Sequence, residues 1–224
     1  MKPDSGRALL FDIDGTLTDT DALHLEAFNQ VLGPRGHVFD RERATRELMG
    51  FSMASIIERF LPDEPPHRQL AIMAEKEAVF RELASENIKP LPGLMALLDL
   101  ADRAEVPMAA VTNAPRQNAE MLLSGLGIAH RFKALVIGDE LAHGKPHPLP
   151  YLEGLRATGA ASGASIAFED SRSGVRAAAA AGIATVGIRT SLDHDDLIEA
   201  GAVMTAESFD AKELLEMIAA KMNW

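Results

Sequence analysis

The chain has 224 residues, with 33 Asp and Glu against 22 Lys and Arg, a formal net charge of −11 at pH 7. This excess of acid argues against a broad surface for nucleic acid or anionic lipid, and the absence of cysteine excludes disulfides, thiolate metal sites and thiol nucleophiles. Hydrophobic residues at 47% and charged residues at 25% describe a globular chain, whose length at roughly 150 residues per domain fits one large domain or a domain carrying an insertion.

In chain order, ALLFDID (8–14) reads as a buried strand ending at a turn at Gly15. Its apolar part is too short for a signal-peptide core. From Asp19 to about Glu86 the spacing is helical: DALHLEAFNQVL, MASIIERFL and QLAIMAEKEAVFRELA are separated by Gly33-Pro34, Met49-Gly50 and the prolines between Pro62 and Pro66. After Pro90-Leu91-Pro92-Gly93 strands and helices alternate. LMALLDLADRA is a helix, PMAAVTN a strand, RQNAEMLLSGLG a helix closed by Gly127, and KALVIGDE a strand. LPYLEGLRATG is a helix, ASIAFED a strand, SGVRAAAAAG a helix closed by Gly182, and ATVGIRT a strand. KELLEMIAAKM is the last helix, with Asp210 as its expected N-cap and Glu213 following.

The Ala-rich run at 177–188 is short of the roughly 20 apolar residues of a membrane span, and a soluble, cytoplasmic protein is expected. Repeated strand–helix units imply an α/β fold: a Rossmann-like parallel sheet core, interrupted after its first strand by an inserted α-helical domain. The expected division is a core of residues 1–18 and 88–224 and a helical domain of 19–87.

In such folds ligands bind at the carboxyl ends of the strands. Asp12, Asp14, Gly15 and Thr16 follow the first strand, Thr112 and Asn113 end the second, and Glu169, Asp170 and Ser171 follow the fourth. Lys145 lies in the loop after the third. Two-residue spacing points Asp12 and Asp14 the same way, with Ile13 opposite. Carboxylates gathered this way repel unless a hard divalent cation sits among Asp12, Asp14, Glu169 and Asp170, and Mg2+ fits that donor set. A cation, a lysine, a hydroxyl and turn amides around one carboxylate describe phosphoryl transfer. Asp12 is placed to attack phosphorus, and Asp14 to protonate the leaving alkoxide and then deprotonate water.

The ordered set resembles the haloacid dehalogenase superfamily of phosphohydrolases across essentially the whole chain. FDIDGTLTDT, VTNA, GKPHPLPY and FEDSRSGVRAA are similar to its first to fourth motifs, in the family's order. The resemblance implies Asp12 as nucleophile, Asp14 as acid and base, Thr112 and Asn113 as phosphate ligands, and Lys145 on nucleophile and phosphate. It implies Mg2+ held by Asp12, the main-chain carbonyl of Asp14 and Asp170, with Glu169 as a further ligand or a support behind them. The helical insertion is similar to the cap of the phosphoglycolate phosphatase and β-phosphoglucomutase branch, in which a lid excludes water and reads the leaving group. HLEAF (24–28) resembles a signature on the first cap helix that turns His24 to the site; an exposed helical histidine is the alternative.

The bland readings are a surface turn for Asp12 and Asp14, a solvated loop lysine for Lys145, and helix caps for Asn113, Glu169, Asp170 and Ser171. His143 and His147 have no metal-binding spacing and read as loop residues. The expected function is a Mg2+-dependent phosphatase of a small phosphorylated metabolite, sugar phosphate or phosphoglycolate-like. The alternatives are a phosphomutase of the β-phosphoglucomutase kind or a non-enzymatic phospho-acceptor switch. Asp14 and the insertion disfavour the switch. GFSMASII (50–57), without the mutase's cap arginine, and Thr112-Asn113-Ala114, in place of the mutase's Thr-Ser-Ala, favour hydrolysis. Oligomeric state, including any packing role for Trp224, is left open by the sequence.

Overall fold

A computed structural model describes residues 6–48, 51 and 53–224. Met49 and Gly50 of the expected helix break, and Gly50 and Ser52 of the segment compared with the mutase pattern, lie outside the described residues. The chain divides into two compact units, Met1–Asp19 with Lys89–Trp224, and Thr20–Ile88.

The first unit is built on a six-stranded, wholly parallel sheet in the order β3-β2-β1-β4-β5-β6. Its strands are β1 (Leu9–Phe11), β2 (Met108–Thr112), β3 (Ala134–Ile137), β4 (Ile166–Glu169), β5 (Ala184–Ile188) and β6 (Met204–Ala206). Every residue of β1, β2 and β4 is buried, as expected for strands covered on both faces by crossover helices. Alternation sorts their side chains. Leu10, Ala109, Val111 and Ala167 pack on one face against Tyr151 and Leu155 of α7 (Leu149–Thr158) and Ala177 and Ala178 of α8 (Arg172–Ala180). On the other face Phe11 stacks on its ladder partner Phe168 with centroids 4.8 Å apart, and both rings contact Phe209.

The second unit consists of α1 (Asp21–Leu32), α2 (Arg41–Glu47), α3 (Met53–Phe60) and α4 (Pro66–Ala84). Phe28, Val31, Leu32, Phe39, Ile56, Phe60, Ile72 and Met73 form its core. The spacing of Ile72, Lys76 and Phe80 places Lys76 on the buried face of α4.

Several expectations need correction. The first strand ends at Phe11, so Asp12 to Asp14 belong to a turn, and strand alternation does not govern the direction of Asp14. In that turn Asp14 bridges Thr18. Three elements were missed: α2, α9 (His194–Ala200) and the edge strand β6, each of them seven residues or shorter and so carrying little periodicity. α10 (Lys212–Met222) is capped by Ala211 and not Asp210, whose carboxylate instead accepts from the Ser208 hydroxyl.

Leu10→Ala removes a wholly buried side chain from between sheet and helices and is expected to cost about 2–5 kcal/mol. Val203→Ala, at a side chain 62% exposed in the same unit, is expected to stay within about 0.5 kcal/mol. Urea denaturation of the two variants checks the contrast.

Candidate active site

In this strand order the switch of winding direction falls between β1 and β4, which form a crevice at their carboxyl ends. The register pairs Phe11 with Phe168, so Asp12 follows one strand as Glu169 and Asp170 close the other. The Asp12 amide donates to the Phe168 carbonyl at 3.0 Å and fixes the junction. Asp12, Glu169 and Asp170 are buried, and one carboxylate oxygen from each lies within 4.8 Å of the others.

Lys145 enters this group from the loop after β3 and is buried. Its ammonium donates to Asp12 Oδ1 at 2.6 Å, Glu169 Oε1 at 2.5 Å and the Val111 carbonyl at 2.7 Å. An ammonium has three protons, so these bonds use all of them. Burial works against the Lys145 charge, but Asp12 and Glu169 outweigh it and hold its pKa above the ordinary lysine range. Burial pushes the Asp12 carboxyl up to about 8; Lys145 pulls the other way, while Glu169 and Asp14 add to the rise. One ammonium therefore does not offset the acid gathered here. The donor set, carboxylate oxygens converging in a buried place with surplus negative charge, fits a hard divalent cation. The Asp14 carboxylate is not in the converging group, and the role implied for Asp14 at a metal uses its main-chain carbonyl.

Space for the carboxylates comes from two glycines. Gly15 turns the chain with φ +74°, and a Cβ there would lie 2.1 Å from Asp170 Oδ2. A Cβ on Gly174, in the first turn of α8, would lie within 2.0 Å of the Glu169 carboxylate, which therefore rests against the positive end of that helix. Ser171 caps α8 by accepting from the Gly174 amide at 3.0 Å, in agreement with its capping reading.

Asn113 does not cap the following helix, α6 (Arg116–Gly125), whose N-cap is Pro115. Its side chain clamps the Lys145 main chain instead, accepting from the amide at 3.0 Å and donating to the carbonyl at 3.1 Å. Thr112 Oγ1 accepts from the Ala114 amide at 2.9 Å, ordering the turn after β2. His143 and His147 are exposed, as expected of loop residues.

Residues not singled out by sequence reasoning complete the cluster. Tyr151 Oη donates to Glu169 Oε1 at 2.6 Å, and Ser191 Oγ to Asp170 Oδ2 at 2.6 Å. Thr190 Oγ1 donates to the Gly15 carbonyl at 2.5 Å. Tyr151 had a signal, being the only tyrosine of the chain and the last residue of GKPHPLPY. Thr190 and Ser191 follow β5 and gave none. His24 lies in the helical unit, stacked on Phe80 at a centroid distance of 3.8 Å. The Lys76 ammonium meets its Nδ1 at 2.9 Å and Glu77 at 3.1 Å. An ammonium only donates, so Nδ1 is the acceptor in this contact. A lysine on the apolar stripe of α4 was the missed sequence signal.

A parallel α/β core with these motifs at its strand ends defines a hydrolase class, and residues 9–188 match the haloacid dehalogenase-like hydrolase family. The chain belongs to that family, and it is a phosphoric monoester hydrolase. It is 32% identical over 218 residues to the phosphorylated carbohydrates phosphatase of Thermotoga maritima, covering 94% of this chain and 99% of that one. It is 35% identical over 187 residues to a fructose-1-phosphate phosphatase of Escherichia coli, covering 81% and 95%. Among solved structures, CbbY from Rhodobacter sphaeroides in complex with phosphate superposes with a TM-score of 0.82 at 30% identity, covering 97% of this chain and 99% of that one. Among the described residues no helix is long and apolar enough to cross a membrane.

Asn113→Ala breaks both clamp bonds, which at about 1 kcal/mol each should lower the thermal midpoint by several degrees. Phosphate release from a monoester should fall at least about tenfold, the size of a barrier change near 1.4 kcal/mol. Asn113→Asp should not rescue it, because a carboxylate cannot donate to the Lys145 carbonyl. Steady-state assays and thermal melts of both variants check this.

Proposed function

We propose that the protein is a Mg2+-dependent phosphatase of small phosphorylated carbohydrates, working through an aspartyl-phosphate on Asp12. The observation that carries this reading is the contact of Lys145 with Asp12, with Glu169 and Asp170 converging on the same carboxylate. The carbohydrate class is supported by the relatives named above, two of which are phosphatases of such compounds.

In this reading Asp12, Asp170 and the Asp14 carbonyl hold the cation, with Glu169 behind them on Lys145. The cation, when bound, neutralises phosphoryl oxygens and keeps Asp12 deprotonated. An Asp12 carboxylate oxygen forms a bond to phosphorus as the bond from phosphorus to the sugar oxygen breaks. The carboxylic acid of Asp14 gives its proton to that departing oxygen. Water then attacks the phosphoryl group, Asp14 takes a proton from it, and Asp12 leaves as carboxylate with release of phosphate. Thr112 and the turn amides after β2 receive the phosphoryl oxygens, with Asn113 acting through the Lys145 loop. The lid role that the resemblance implies for the inserted helical unit is part of this reading, with His24, whose Nδ1 meets the Lys76 ammonium, as its candidate residue for reading the leaving group.

Asp12→Asn is expected to lower hydrolysis of fructose 1-phosphate by at least about a thousandfold, the scale set by removing a covalent nucleophile, while the far-UV spectrum and thermal midpoint are retained. Substantial residual turnover overturns the nucleophile assignment. Asp14→Asn is expected to let aspartyl-phosphate accumulate, detected by rapid quench, and unchanged steady-state hydrolysis removes its acid–base role. Isomerised sugar phosphate without free phosphate would overturn hydrolysis in favour of mutase chemistry.

Metal-free protein should be inactive. At a hundredfold excess over its dissociation constant, Mg2+ should add about 2.7 kcal/mol of stability. A melt with and without the ion measures this, and Asp170→Asn should abolish the gain.

A further inference from the structure

Tyr151 is wholly buried on α7, between that helix and the sheet, among Leu10, Val111 and Leu155. A phenol hydroxyl in such surroundings costs free energy unless it is hydrogen-bonded, and a phenyl ring would fill the same space without that cost. The hydroxyl has found one partner, Glu169 Oε1 at 2.6 Å. The same oxygen accepts from Lys145 at 2.5 Å, so its two lone pairs are both engaged. The ring of Tyr151 also lies 5.3 Å from the ammonium. Burial, with the Glu169 and Asp12 carboxylates, raises the phenol well above its ordinary pKa, so it remains a neutral donor at working pH.

Lys145 stands between two carboxylates that compete for it, Asp12 and Glu169. A second donor on Glu169 lessens the demand of that carboxylate on the ammonium and fixes the direction of its Oε1. We propose that Tyr151 is a positioning residue for the reaction, acting through Glu169 to keep Lys145 shared with Asp12. The inference rests on the reading of Asp12 as nucleophile and Lys145 as its charge partner. Without the hydroxyl, Lys145 is drawn toward Glu169, and the contact that orients Asp12 weakens.

The test is a cycle of Tyr151→Phe, Glu169→Gln and the double variant, assayed with fructose 1-phosphate and saturating Mg2+ beside Asp12→Asn. Tyr151→Phe should keep its thermal midpoint within a few degrees and lose about tenfold in kcat, with KM changed less than about threefold, the signature of an interaction that matters in the transition state. In the Glu169→Gln background the same change should alter kcat less than about twofold, because contacting residues that act together are not additive. Unchanged kcat in Tyr151→Phe, or an equal loss in both backgrounds, overturns the proposal. If Asp12→Asn is inactive and Tyr151→Phe is unaffected, only the positioning role fails; if Asp12→Asn remains active, the nucleophile reading fails first.

One measurement does not depend on the fold of the Phe variant. Tyr151 is the only tyrosine, so 3-fluorotyrosine labels it alone. Its single fluorine resonance in the folded protein should move on Glu169→Gln, and no movement overturns the contact.

Discussion

Two buried carboxylates share one ammonium at the carboxyl ends of neighbouring strands, and the rest of the site is arranged around that imbalance. At the 4.8 Å that bounds the spacing of Asp12, Glu169 and Asp170, each pair of charges repels by about 3–4 kcal/mol in a medium of effective dielectric near 20. Lys145 relieves Asp12 and Glu169 but does not touch Asp170 among its hydrogen-bond acceptors. Hydroxyls supply part of the remainder: Tyr151 on Glu169 and Ser191 on Asp170. The first turn of α8 supplies another part. What is left is charge that a bound divalent cation would offset.

The sheet order explains why so many elements contribute. β1 and β4 are adjacent in space and far apart in sequence, and the chain leaves them in opposite directions across the sheet. Side chains after β1, β2, β3, β4 and β5 therefore reach the same crevice, each from the end of a rigid strand. Gly15 and Gly174 are the steric counterpart of this convergence, since a methyl group at either position would occupy the space of a carboxylate.

The sheet and the proposed chemical residues were legible because both leave short-range marks. Buried strands such as β2 are continuous apolar runs, and acidic residues stand at the ends of β1 and β4, so one reading marked the strands and the candidate residues together. The turn at Asp12 to Asp14 was misread as strand because the alternation of Leu10, Asp12 and Asp14 continues past the last ladder residue. The capping reading of Asn113 failed for a different reason. A polar residue just before a helix has the composition of a cap, and only the fold reveals that its amide closes on the main chain of Lys145, 32 positions away. Ser191 and Tyr151 are likewise tertiary contacts, 21 and 18 positions from their carboxylate partners. No local pattern encodes such a pairing.

The acid excess of the chain, with its net charge of −11, must coexist with an anionic substrate. A general attraction is excluded, so the force on the phosphoryl group has to be local and to appear as the reaction proceeds. The occupancy of Lys145 suggests how. With all three protons engaged, its ammonium reaches a phosphoryl oxygen only by releasing one acceptor. The Val111 carbonyl is neutral and Glu169 keeps its charge throughout, held by the Tyr151 hydroxyl. Asp12 alone changes, because in the proposed step its carboxylate becomes a mixed anhydride and loses its negative charge. In that step the bond from Lys145 to Asp12 would weaken as negative charge builds on the oxygens of the transferring group, and the Lys145 N–H released by Asp12 would be free to donate to a phosphoryl oxygen. On hydrolysis of the proposed intermediate Asp12 would regain its charge and reclaim the ammonium, which would loosen the hold on product phosphate. In the proposed mechanism the contact that orients Asp12 in the resting protein would thus serve in turn as the brake on product binding.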